Sequence, residues 1–264
     1  MNIEYNYHTH NHRCGHAGGD CYDYANEAVK KGIKKLGFSD HGPFKDFDPG
    51  FRMAYDMFED YKQEAYAVKR DYRDKLDVKV GVEIEYLESQ DKYYDELLTK
   101  GGMEYLIMGQ HFYEDKNGIL RYTYEMKSTE EYLDYAKSIV NGIKTGYFSF
   151  LAHPDLICIH DFKWDYNCDK AFDMIIDAAL DKDFVIEYNG NGFRRGIKKF
   201  YDGERYEYPH DKVFKKVADA GVKVIINSDC HGPSQLCDEY MELAYEKAKE
   251  LGLNLALPKE WRII

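Results

Sequence analysis

The chain has no uninterrupted apolar run of about 18 residues and no charged start leading into a hydrophobic stretch, so neither a membrane span nor a secretory leader is expected. Its six cysteines, at 14, 21, 158, 168, 230 and 237, form no CxxC pair. That scatter excludes zinc-ribbon spacing and argues against a disulfide framework, leaving reduced thiols in a cytoplasm as the expectation. No repeat, low-complexity segment or linker divides the sequence, and residues 1–264 read as one domain. Positive charge is in deficit, with 36 Lys and Arg against 48 Asp and Glu, a net charge of −12. This balance favours solubility and works against binding nucleic acid. An anionic substrate would have to meet a locally built positive field.

What is present is a regular alternation. A chain of this length buries about three quarters of its unfolded surface, enough for a core without covalent staples. The runs "NIEYNYH", "KLGFSDH", "DVKVGVEIEY", "MEYLIMGQH", "YFSFLAH", "DFVIEYN" and "VKVIINSD" read as strands. Helical patterns separate them, clearest over 170–182 and 211–220, and "FYEDKNGILRY" reads as a hairpin turning at Asn117 and Gly118. Alternation of this kind predicts an α/β fold with a parallel sheet, and about seven strands favour a closed barrel.

Nearly every predicted strand ends on a group able to bind metal. His8 and His10 close the first, His41 follows the second, Glu83 lies at the end of the third, His111 and His153 end the next two, and Asp229 and His231 end the last. In a parallel barrel those ends share one rim, where active sites lie. His8 and His10 are two apart, as are Asp229 and His231, so each pair leaves one face of its strand. Imidazole with carboxylate suits Mn, Fe or Zn, while Cys14 and Cys230 fall out of phase with the pairs.

These residues lie in the motifs "HTH" (8–10), "CGHA" (14–17), "SDHGP" (39–43), "GVEIEY" (81–86), "GQHF" at His111, "AHPDL" (152–156), "EYNGNGFRRG" (187–196) and "SDCHGP" (228–233). In that order the sequence resembles the PHP family, named for polymerase and histidinol phosphatase. "CGHA", with the stretch from "EYN" to "YP" at 208–209, points to its monofunctional histidinol-phosphate phosphatase branch. The resemblance implies a distorted (β/α)7 TIM-like barrel with three divalent ions at the C-terminal rim of the strands. It assigns His8, His10, Glu83 and Asp229 to one ion, and Glu83 with His111 and His153 to a second. The third falls to His16, His41 and His231. It further implies attack on phosphorus by a metal-bridging hydroxide, with Arg194 binding phosphate and Arg195 beside it. His12 has no counterpart in the motifs. Asp40 reads either as a leaving-group acid or as a strand-end hydrogen-bonding group, and His210 either as a helix cap or as a group near substrate.

The chemistry closes on charge. Three divalent ions, less Glu83, Asp229 and a hydroxide, leave roughly +3 for a phosphate dianion. The activity expected is hydrolysis of L-histidinol phosphate, with no nucleic-acid or membrane partner. The rivals are another small phosphomonoester or a nucleotide phosphodiester at the same site, and a non-catalytic metal-binding regulatory protein. An amidohydrolase-type site would need a metal-bridging lysine, and no lysine closes a predicted strand. Glu85, Tyr86 and Asp155 stand near the strand ends, and Phe44, Phe47, Phe51 and Tyr55 within 43–57 read as core or as a lid. "AHPDL" is followed by "ICIHD", without the basic residue that related phosphatases often show there.

Overall fold

The computed structural model describes residues 3–256. The first half runs β1 (Tyr5–Asn6), α1 (Cys21–Lys31), β2 (Lys35–Phe38), α2 (Phe58–Asp71), β3 (Asp77–Ile84), α3 (Asp91–Thr99), β4 (Tyr105–Met108), β5 (Phe112–Glu114) and β6 (Leu120–Tyr122). The second runs α4 (Glu131–Thr145), β7 (Phe150–Leu151), α5 (Tyr166–Asp181), β8 (Val185–Asn189), α6 (Asn191–Arg194), β9 (Ile197–Phe200), β10 (Gly203–Tyr206), α7 (Asp211–Ala220), β11 (Lys223–Asn227), α8 (Glu239–Leu251) and β12 (Asn254–Leu255).

Eight strands form one parallel sheet in the order β1-β2-β3-β4-β7-β8-β11-β12. The sheet curls: a parallel bridge joins Thr9 to Cys230, and the His10 amide donates to the Cys230 carbonyl at 2.9 Å. The segment after β1 therefore meets the segment after β11. Seven of the strands answer to the seven sequence runs, and β12 adds an eighth beside β11.

Strand alternation sorts side chains between the two faces. Tyr105, Ile107, Phe150, Val185 and Ile225 form a cluster on the inside of the curl. Their neighbours Leu106, Met108, Leu151, Ile186, Val224 and Ile226 join the larger core beneath the helices. With Tyr7, Tyr105 is one of the two large plugs inside the curl. Its ring fits because positions 37 and 81 are glycine, where a Cβ would collide with it.

Two runs shorten as they approach the rim. β1 stops at Asn6 because side chains take over its ladder: the Tyr7 amide donates to Asn227 Oδ1 at 2.9 Å, and the Thr9 amide to Ser39 Oγ at 2.9 Å. β7 stops before His153, whose φ is 27° and whose amide donates to Glu187 Oε2 at 3.2 Å. The hairpin β5–β6 pairs Phe112 with Tyr122, and Asp115 accepts from the Asn117 and Ile119 amides in its turn. A second hairpin, β9–β10, was not anticipated; its two-residue turn is Tyr201-Asp202, and Gly203, at a φ of 124°, opens β10.

Candidate metal centre

Residues that follow the strands converge on one carboxylate. Glu83 Oε1 lies 2.9 Å from His153 Nε2, 3.4 Å from His8 Nε2 and 3.9 Å from His111 Nε2. Its Oε2 lies 2.9 Å from His41 Nδ1 and 3.5 Å from His10 Nε2. Asp229 Oδ1 stands 3.0 Å from His10 Nε2, 3.6 Å from His8 Nε2 and 3.7 Å from His231 Nδ1. Within this cage four triplets bring their donor atoms within 4.8 Å of one another: His8–His10–Asp229, His8–Glu83–His153, His41–Glu83–His111 and His10–His41–His231. His16 stands at the edge, its ring 5.2 Å from that of His41 and 5.0 Å from that of His231.

The donor set fits divalent cations. His8 Nε2, both ring nitrogens of His10, Glu83 Oε2 and His153 Nδ1 are buried and make no hydrogen bond. Orphaned polar atoms are expensive in a core, and His8 Nε2, His10 Nε2 and Glu83 Oε2, gathered at the Glu83 carboxylate, call for an ion. Burial opposes charge on Glu83, but the imidazoles of His8, His111 and His41 outweigh it and hold the carboxyl well below its ordinary range. Asp229 is likewise held down against burial by His8 and His10. Burial also disfavours the imidazolium of His10, yet Asp229 and Asp40 raise it to about 9. Burial, reinforced by His10, lowers His231 to about 3. The carboxylates are thus ionised, the outer imidazole of His231 offers a free lone pair, and the proton on His10 is one that a cation displaces.

Supports stand behind these groups, and the sequence reading missed the main one. Glu187 in β8 accepts from His8 Nδ1 at 2.8 Å and is itself bonded by Asn189 and Asn227. Its signal was the Glu-x-Asn phase of "EYN", which points both side chains inward. Asn189 also donates to Asp229 Oδ2 at 3.0 Å. Glu85 Oε1 lies 3.1 Å from His111 Nδ1 and accepts from Arg52 Nη2 at 2.8 Å. Carboxylates of this kind fix the ring orientation of a ligating histidine. Both His153 and Asp229 hold left-handed φ values, 27° and 46°, which the surrounding bonds sustain at this site.

A cavity of about 390 Å³ opens over the cage, lined by His41, His111, His153, Asp229 and His231 together with Arg195, Tyr208 and further aromatic residues. Arg195 enters it over the Tyr208 ring, 5.2 Å away, with Nη1 3.6 Å from Glu207. Arg194, expected at the phosphate, instead turns into the protein. It pairs with Asp238 through Nε at 2.7 Å and Nη2 at 2.9 Å, and donates to the carbonyls of Ser228 and Gln235. With those donors engaged, it has little left for a substrate.

Asp40 is also absent from the cavity wall. It is buried, accepts from the His41 amide at 2.9 Å and lies 3.4 Å from His10 Nδ1, so it backs His10. His210 caps α7 by accepting from the Lys212 amide at 3.1 Å, outside the cavity. His12 is exposed beside the Gly19 carbonyl, and His160 reaches the Thr123 carbonyl. Of the four aromatics in 43–57, Phe44 and Phe47 stack against each other on the core, and only Phe51 reaches the cavity. Neither Cys14 nor Cys230 joins a donor triplet.

The PHP domain model matches residues 6–191. "Histidinol-phosphatase" of Bacillus subtilis is 25% identical over 251 residues, covering 85% of this chain and 92% of that protein. "Probable histidinol-phosphatase" of Deinococcus radiodurans is 23% identical over 253 residues, covering 93% of this chain and 92% of the relative. The fold is similar to that of histidinol phosphate phosphatase from Lactococcus lactis, solved with zinc, L-histidinol and phosphate. That structure superposes with a TM-score of 0.69 at 15% identity, covering 96% of this chain and 95% of the other.

Proposed function

This chain belongs to the PHP-domain family, and on that footing we propose that it is a metal-dependent phosphomonoesterase that hydrolyses L-histidinol phosphate to L-histidinol and phosphate in histidine biosynthesis. In this reading residues 1–264 form one cytoplasmic domain, and the seven longer-recognised strands form a distorted (β/α)7 barrel with β12 at its margin. The observation that carries it is the cage of buried, unpartnered imidazole and carboxylate atoms opening directly onto a cavity that holds Arg195. The similarity to proteins named histidinol-phosphatase supports the choice of substrate.

The residues would hold three divalent ions, Mn, Fe or Zn. His8, His10, Glu83 and Asp229 hold one, Glu83 with His111 and His153 another, and His16, His41 and His231 the third. Such ions, when bound, supply positive charge and an acidified water. The chain's own work is to place the ester. Arg195 points its guanidinium into the cavity and receives the phosphoryl oxygens through charge-assisted hydrogen bonds. Tyr208 supports it from below, and Asn191 lines the floor beside Asp229. Glu187, Glu85 and Asp40 keep His8, His111 and His10 aimed inward.

Phosphate release by the manganese-loaded protein tests this, with L-histidinol phosphate set against other small phosphomonoesters and one phosphodiester. A kcat/KM near or above about 10⁴ M⁻¹s⁻¹ for L-histidinol phosphate, well above the others, is expected. Protein that takes up manganese and releases phosphate from none of them refutes the reading.

A further inference from the structure

We infer that Phe51 and Tyr122 form an aromatic clamp at the cavity mouth that selects esters whose leaving group carries a flat ring; this rests on the phosphomonoesterase reading above. Phe51 is 68% exposed, and its φ of 55° is a left-handed conformation that a bulky residue adopts only under constraint. Such strain costs on the order of 1–3 kcal/mol. Burial does not repay it, because the ring packs on no core. The ring lines the cavity, and its plane lies within 6° of the Tyr122 ring with centroids 6.4 Å apart. Tyr122 continues into a wall, 4.8 Å from Phe112 and 5.1 Å from Tyr124.

The next residue explains how an exposed side chain is held in place. Arg52 is buried, donates to the Gly42 carbonyl at 2.9 Å and to Glu85 at 2.8 Å, and lies over the rings of Phe44 and Phe112. The Met53 amide adds a bond to the His41 carbonyl at 3.2 Å. Phe51 is thus fastened from its C-terminal side to the residues that carry His41 and His111. The cavity's chemistry says what the clamp receives. Among the described residues lining it, Asp229 is the only carboxylate, and it belongs to the metal cage. A leaving group entering here is therefore met by ring faces rather than by an ion pair, which suits an imidazole or another planar ring.

The test compares wild type with Phe51→Leu, which keeps apolar bulk without a flat face, and Phe51→Tyr, which restores the face. Two ring-bearing esters, L-histidinol phosphate and phenyl phosphate, are set against ring-free glycerol 3-phosphate. The ratio of kcat/KM for ring-bearing over ring-free esters should fall about tenfold in Phe51→Leu, chiefly through KM, and recover in Phe51→Tyr. Titration calorimetry of L-histidinol into the manganese-loaded proteins should show the same loss and recovery. An unchanged ratio with unchanged L-histidinol affinity overturns the clamp. If wild type releases phosphate from none of the esters, the phosphatase reading falls, and calorimetry alone decides: weaker L-histidinol binding in Phe51→Leu upholds the clamp, while equal or absent binding overturns it.

Discussion

Replacing Glu83 by glutamine preserves the side chain's shape and removes its charge at the point where five histidines converge. The two oxygens of Glu83 lie between 2.9 and 3.9 Å from imidazole nitrogens of His8, His10, His41, His111 and His153, so two of the four donor triplets include this carboxylate. A unit charge about 4 Å from another is worth about 4 kcal/mol at an effective dielectric near 20, and an adjacent ion loses at least a comparable share, about a thousandfold in affinity. Wild type held at about one hundred times the dissociation constant of its metal gains about 2.7 kcal/mol. For a chain of this size that raises Tm by about 5–10 °C. Glu83→Gln at the same manganese concentration should gain almost none of it, and should retain fewer ions by elemental analysis after gel filtration. Equal metal content with an equal rise in Tm would refute the reasoning, because the carboxylate would then be a buried spectator.

A Cβ at Gly109 would overlap the Glu83 carboxylate, so Gly109→Ala should displace it and reproduce the loss of metal without altering a ligand, as elemental analysis reads directly. Arg194→Ala removes the partner of Asp238 and should lower stability by about 3 kcal/mol in denaturant titration. Arg195→Ala should instead weaken inhibition by inorganic phosphate by about tenfold or more; the opposite pattern would return the phosphate contact to Arg194. His210 has its pKa lowered to about 4, first by burial and then by Arg205. A depressed histidine favours the folded state while neutral and opposes it once the unfolded chain takes up the proton. The linked stability, about 3 kcal/mol, should therefore be lost as pH falls from about 6.5 towards 4. His210→Asn keeps a capping acceptor without titrating, so melts across that window should show a shallower decline; an identical decline would assign the effect elsewhere.

Sequence by itself determined the α/β class, because the change of period between strand and helix and the placement of turn residues are local properties. It also marked the residues that gather in the cage: those at a strand's end stand out whatever the strands' order, and parallel strands bring their ends to one rim. Three things came only from the tertiary structure. Arg194 ends α6 and Arg195 follows it directly, and nothing local says which one turns inward; Asp238, more than forty residues away, captures the first and leaves the second to the cavity. Glu187 looked like one strand residue among many until folding set it 2.8 Å from His8. Phe51 shared its segment with Phe44, Phe47 and Tyr55, and the burial of Arg52 between two rings decided which aromatic faces the cavity. Each of these is a contact between distant parts of the chain. Periodicity records which face a side chain takes, but not which partner waits there.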